Sequence, residues 1–168
     1  MKNTSTFSCE GFSPVYNSNS KIIILGSYPS VISRQYGFYY GNKKNRFWQI
    51  MSILFDIDLI NADIAQKKNF LFNTGIALYD VVHSCVITGS SDLSIKNVVV
   101  SDIKSILNNS DIKKIFLNGK KAQELFLKHF PFYSSMAICL PSTSPANAKK
   151  SLKDLVNDYK IILDYIKK

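Results

Sequence analysis

The sequence predicts an α/β domain: a four-stranded parallel sheet with helices on both faces. Short Ile- and Leu-rich runs alternate with longer stretches whose apolar residues recur at helical spacing, the pattern of strands joined by crossover helices. The runs are almost continuously apolar, as strands covered on both faces require. Three of them end in turn formers, at Gly26, at Asn118-Gly119 and at Pro141-Ser142, and right-handed crossovers place those loops on one rim. The 168 residues suffice for one domain, read as 1–168, with an ordinary buried core.

Residues 1–20 are polar, with Gly11 and Pro14, and read as an irregular lead-in packed through Phe7, Phe12 and Val15. Strand one is Lys21 to Leu25, followed by a Gly-, Ser- and Tyr-rich loop over 26–45. Asn45 is placed to cap the next helix, because its side chain can accept from a free N–H of the first turn. That helix runs from Arg46 to about Phe55, burying Phe47, Ile50, Met51, Leu54 and Phe55. A second helix over about 62–72 follows the Asn61/Asp63 start signal. Gly75 to Val82 reads as strand two, and 83–97, with Gly89, four Ser and Asp92, reads as a surface loop. A helix from Ser101-Asp102 to about Asn108 leads into strand three, Lys113 to Leu117; a helix to about His129 leads into strand four, Met136 to Leu140. A final helix covers about 149–166.

The formal net charge is +9, so an anionic partner is expected, and nucleic acid offers the densest line of phosphates. A Lys-rich bias spread over helix surfaces would give the same number. The three cysteines, Cys9, Cys85 and Cys139, are far apart and form no metal-ligand spacing. Cys85 and Cys139 read as buried core thiols. An odd number without framework spacing argues against a secreted disulfide scaffold. No apolar run approaches the ~20 residues of a membrane span. A monomer in a reduced cytoplasm is the expectation.

Several familiar sites are missing. No G-x-G-x-x-G occurs, and Gly119-Lys120 is followed by Lys121 rather than Ser or Thr. No G-x-S-x-G elbow occurs, and His83 and His129 stand apart from any Cys or acidic cluster. What remains on the rim is amides, hydroxyls, aromatics and backbone: a site with neither metal nor carboxylate. Such a site can stack a base drawn out of a duplex, read its edge, and aim N–H donors at charge on a leaving base. On spacing alone, Tyr39 and Tyr40 fit core aromatics as well as stacking platforms. Asn45 fits a plain helix cap, and Ser142-Thr143-Ser144 a plain turn.

Four blocks carry a family resemblance. They are Leu25-Gly26-Ser27-Tyr28-Pro29-Ser30 with Gly37-Phe38-Tyr39-Tyr40-Gly41 and Asn45-Arg46-Phe47-Trp48; Gly75 to Val81 with Ser91-Asp92 and Ile95-Lys96-Asn97; Phe116 to Ala122; and Leu140 to Ala146. Together they resemble the uracil-DNA glycosylase superfamily, and its hypoxanthine-DNA (deoxyinosine) glycosylase branch above all. The resemblance implies a three-layer α/β/α sandwich around a four-stranded parallel sheet. It implies hydrolysis of the N-glycosidic bond of a deaminated base in DNA, leaving an abasic site, with no metal or organic cofactor. Iron–sulfur branches use four cysteines, and this chain has three.

Three positions depart from the wider family. Tyr28 stands where many members carry a water-orienting Asp or Asn. Asn42-Lys43 stands where this branch tends to have His-Pro, and Leu140 where uracil-specific members often place His. The resemblance therefore moves the catalytic role to Asn45, positioning water or holding the base edge. It implies Tyr40 as the stacking platform and the backbone N–H groups of Ser27 and Tyr28 facing the base. Ser142, Ser144 and Asn147 would contact the DNA backbone, with Lys43, Lys44 and Arg46 adding attraction and Lys149 and Lys150 extending the basic track. The alternatives are a uracil- or mismatch-directed glycosylase and a catalytically idle nucleic-acid-binding domain.

Overall fold

The computed structural model describes residues 6–28, 30–88 and 95–167. Four strands form the expected parallel sheet: β2 (Ile22–Gly26), β3 (Ile76–Asp80), β6 (Lys114–Asn118) and β7 (Ala137–Leu140), in the order β3-β2-β6-β7. Every residue of β2 and β3 is buried, which explains why Ile22 to Leu25 and Ile76 to Tyr79 are unbroken apolar runs rather than alternating.

The chain steps from β2 to β3 on one side, then back across β2 to β6 on the other. Right-handed crossovers then send the helices before β3 to one face and those before β6 and β7 to the opposite face. The first group is α1 (Val31–Tyr36), α2 (Phe47–Phe55) and α3 (Ile64–Thr74); the second is α4 (Ile103–Asn108) and α5 (Lys120–His129). The C-terminal helices α6 (Leu152–Tyr159) and α7 (Leu163–Ile166) return to the first face, where α6 packs on α2 and Tyr165 meets Phe116 edge-on. The connections thus reverse direction beside β2, and in open sheets such a switch point opens a crevice at the strand ends.

Several local readings match the coordinates. Asp63, from the start signal, closes a reciprocal capping box with Gln66; Ser151, not foreseen as a cap, closes another with Asp154. The Asn45 carboxamide oxygen accepts from Phe47 N–H at 2.9 Å, although Arg46 is the formal cap residue. The final helix is shorter than expected: it begins at Leu152 and is interrupted by a 3₁₀ turn over Lys160–Ile162.

A second sheet was not foreseen. β1 (Thr6–Glu10), β4 (Val82–Thr88) and β5 (Ile95–Val100) pair antiparallel in the order β1-β4-β5. The lead-in is therefore partly strand rather than irregular, and 83–97 is largely a hairpin rather than a loop. β4 starts two residues after β3 ends, and Ser101 Oγ fastens the turn by donating to Asp80 O at 2.5 Å. Of the earlier readings, Pro29, Gly89 and Ser91-Asp92 lie outside the described residues, as do the side chains of Phe7 and Cys9. Cys85 is buried as expected, whereas Cys139 is only half-buried.

Candidate active site

Strand register sets a row of residues across the carboxyl rim. Gly26 lies beside Asp80 on β3; Leu25 pairs with Leu117, so Gly26 also neighbours Asn118 on β6; Asn118 pairs with Leu140 on β7. Residues in register share a face, so Asp80, Gly26, Asn118 and Leu140 all project toward α2 and α6. Gly26 leaves the gap in this row. A Cβ there would collide with Asp80 Oδ1 and come within 3.4 Å of the Tyr40 hydroxyl. The Tyr40 hydroxyl thus lies over Gly26, with Asp80 on one side and Asn118 on the other.

Tyr40 is held there against local preference. Its φ of 54° is left-handed, a conformation that costs a non-glycine residue ~1–3 kcal/mol and persists where surroundings over-determine it. The surroundings are aromatic. Tyr40 stacks on Phe47 with centroids 4.1 Å apart, and Trp48 Nε1 donates to Tyr39 O at 3.0 Å. Tyr39 is a core residue whose hydroxyl donates to Ser13 O at 3.0 Å; burial pushes its pKa well above the ordinary range. Because Phe47 covers one face of Tyr40, a base can stack only on the other.

Two buried polar atoms in this row lack a well-formed hydrogen bond: the Tyr40 hydroxyl, which approaches Asn118, and Asp80 Oδ2. Asp80 is 5% exposed, and burial raises its carboxyl to about 7. A buried carboxyl with one oxygen left unpartnered is costly, and such groups concentrate at functional sites. The sequence reading missed Asp80. The available signal was a carboxylate at the end of an otherwise apolar strand run.

Asn118 faces the other way along the row. Its Nδ2 donates to Thr143 Oγ1 and its Oδ1 accepts from Thr143 N–H, both at 3.0 Å. It thereby anchors the loop after β7, and further clamps follow. Arg46 donates to Lys150 O at 2.6 Å and to Ser144 O and Asn147 O at 2.8 Å. Tyr159 donates to Pro141 O at 3.0 Å, and Asn147 Nδ2 to Ser142 O at 3.0 Å. Arg46, expected among cations facing DNA, points into the protein because three carbonyls hold its guanidinium. The Ser142 and Ser144 hydroxyls accept from Ser144 N–H and Ala146 N–H, which leaves each O–H hydrogen available to donate outward. Lys43, Lys44 and Lys149 are exposed, while Lys150 pairs with Asp158 at 2.8 Å.

Asn45 and Tyr40 line a common cavity of about 240 Å³ with Asn42, Gln49 and Lys67. Since the Asn45 oxygen is engaged by Phe47 N–H, its amide NH₂ is the end left to serve the cavity. Ser27 and Tyr28 are not among its lining residues. Tyr28 packs against Val82 and Cys85, and the Ser27 carbonyl accepts from Val82 N–H at 3.0 Å. Among the described residues no group of three or more His, Cys, Asp or Glu could hold a metal ion.

Comparison with known proteins decides the family. The profile described as the uracil DNA glycosylase superfamily matches residues 13–164. The chain belongs to that superfamily. Two relatives named hypoxanthine DNA glycosylase are each 32% identical to it. The one from Methanosarcina barkeri aligns over 86% of this chain and 90% of its own length; the one from Methanosarcina acetivorans aligns over 84% and 89%. A solution structure from Methanosarcina acetivorans, provisionally described as a uracil DNA glycosylase, superposes with a TM-score of 0.77 at 27% identity, covering 94% of this chain and 99% of that one. The superfamily fold accounts for the parallel sheet, its flanking helices and the loops at the strand ends.

Proposed function

We propose that this enzyme is a monofunctional DNA glycosylase that removes hypoxanthine. The observation that carries the reading is the row Asp80–Gly26–Asn118 beneath Tyr40, at the switch point of a superfamily sheet, beside a basic rim. Water forms a bond to C1′ while the C1′–N9 electron pair leaves with the base; one water proton stays on the new C1′ hydroxyl and the other ends on the departed base. The transition state is oxocarbenium-like, as in other glycosidic cleavages.

The residue roles follow from donor and acceptor counts. The free face of Tyr40 stacks on the base. The Asn45 NH₂ donates to the purine edge and to the negative charge that grows on it. Ionised Asp80 supplies negative charge beside the sugar cation, and an acceptor that the Asn45 amide, its oxygen already engaged, cannot offer. Main-chain N–H groups at Ser27 and Tyr28 are the remaining candidates to face the base. Ser142, Ser144, Lys43 and Lys44 contact phosphates; Arg46 and Asn147 shape the loop that does so. The substrate is duplex DNA, the enzyme acts as a monomer, and no cofactor is needed.

The test uses labelled duplexes containing hypoxanthine, uracil or xanthine, scored for alkali-sensitive abasic sites. Hypoxanthine cutting supports the proposal. Strong uracil cutting alone replaces it with the uracil-directed reading. Salt-sensitive binding without cutting replaces it with an idle binding domain.

A further inference from the structure

Lys67, on α3, is the one buried lysine among the described residues, at 4% exposure, and none of their ion pairs includes it. Its ammonium lies 5.1 Å from the Trp48 ring and 5.5 Å from the Tyr36 ring, and it lines the same cavity as Tyr40 and Asn45. The two rings fix where the charge sits, but ring faces do not saturate its three N–H donors. A buried ammonium with open donors needs an acceptor. The other polar groups of the wall are donors too. Asn45 Oδ1 accepts from Phe47 N–H at 2.9 Å and Asn42 Oδ1 accepts from Lys44 N–H at 3.0 Å, which leaves NH₂ as the open end of each amide. Lys43 adds a further cation.

A wall of donors matches a base edge made of acceptors. Hypoxanthine presents O6 and N7, both acceptors, whereas adenine sets a 6-amino donor beside N7. We infer that Lys67 is a specificity-determining residue: its ammonium donates to the 6-oxygen of the flipped purine, so the enzyme takes 6-oxo bases and rejects adenine. An amino group in that place would set donor against donor and leave the ammonium buried without an acceptor, the kind of mismatch by which a polar site discriminates most strongly. The contact also strengthens as the glycosidic bond breaks, because the electron pair received at N9 spreads through the ring onto O6. Guanine shares the oxygen, so Lys67 does not tell it from hypoxanthine; the pairing of guanine with cytosine, which opposes flipping, does so instead. The inference rests on the glycosylase reading, in that a flipped base must enter this cavity.

The test uses duplexes carrying one 2′-fluoroarabino nucleotide, whose fluorine disfavours the oxocarbenium-like state and leaves the base bound but uncut. The base there is hypoxanthine, adenine or unsubstituted purine, the last with hydrogen in place of the 6-oxygen. Affinities are measured for the wild type, Lys67→Met and Lys67→Gln, with urea unfolding of each as the check on folding. Met is unbranched, similar in volume and a good helix former, so α3 is preserved. The wild type should prefer hypoxanthine over purine and over adenine by roughly ten-fold, the worth of one charge-assisted hydrogen bond. Lys67→Met should bring both ratios near one. Lys67→Gln, whose amide can donate or accept, should keep part of the preference over purine and lose the preference over adenine. Ratios are compared within one protein, so a general loss of DNA affinity cancels. Wild-type ratios in both variants would overturn the inference, and so would a wild type that binds the three duplexes equally. Cleavage of the unmodified hypoxanthine duplex is scored separately: its absence sinks the glycosylase reading, while the affinity ratios still decide the role of Lys67.

Discussion

Two sides of the same rim are built to opposite rules. In the loop after β7, Thr143 is fully buried and bonded twice to Asn118, and Arg46 grips three carbonyls. On the side of Tyr40, the hydroxyl of Tyr40 and Oδ2 of Asp80 are buried without a proper partner, and Lys67 lies against the Trp48 and Tyr36 rings with no ion pair among the described residues. In the proposed reading, the satisfied side offers a fixed shape to phosphates, whose positions in a duplex are regular. The unsatisfied side holds groups whose missing partners a substrate can supply. Its cost in stability is the ordinary signature of a preorganised site.

The contrast can be broken by mutation, beginning with the largest expected effect. Asn45→Ala should lower single-turnover cleavage of hypoxanthine DNA ~10²–10³-fold, the range for loss of one aimed donor, while duplex affinity changes little. It should also cost about 1 kcal/mol in urea unfolding through the lost cap. Equal loss of binding and cleavage would leave Asn45 a cap alone.

Asp80→Asn should lower cleavage at pH 8 by ~10²-fold and remove a rising limb of the pH–rate profile near pH 7. Its stability effect has the opposite sign. The carboxyl is raised to about 7 in the folded state, against ~4 when unfolded. The native state therefore binds the proton more tightly: stability rises as pH falls from about 7 toward ~4, and the full penalty applies above about 7. Asp80→Asn should raise Tm at pH 8 and change it little near pH 4. An unchanged profile in both measurements would make Asp80 a bystander.

Arg46→Lys keeps the charge but loses the planar fork that reaches three carbonyls. It should destabilise the protein by roughly 2–3 kcal/mol and weaken DNA binding despite unchanged net charge. If charge were its contribution, binding would be unaltered. The smallest effects belong to Lys43→Ala and Lys44→Ala, each a few-fold in affinity at low salt and about one in salt slope or less, with cleavage at saturating DNA unchanged.

Much of this plan is legible in the chain. Continuous apolar runs marked the four strands of the parallel sheet, and Gly26 and Pro141-Ser142 marked where the site loops begin. The antiparallel sheet was not legible, because β1 and β4 are joined by pairing across more than seventy residues, and the Gly- and Ser-rich 83–97 segment shows no period of two. The direction of Arg46 was hidden for a related reason. Nothing local to Asn45-Arg46-Phe47 says that carbonyls from 144–150 will surround a guanidinium. Asp80 was visible as a residue but not as a group, since its meaning comes from register with Gly26.

Asn45 and Arg46 are consecutive, and they look in different directions: one into the cavity, the next into the loop after β7. A single peptide unit therefore links the part of the enzyme that would feel the strand's backbone to the part that would judge the extruded base. In the proposed reading, a duplex that shifts the loop after β7 would pull on Arg46 and hence on the residue beside it, tying backbone contact to base contact through one peptide unit.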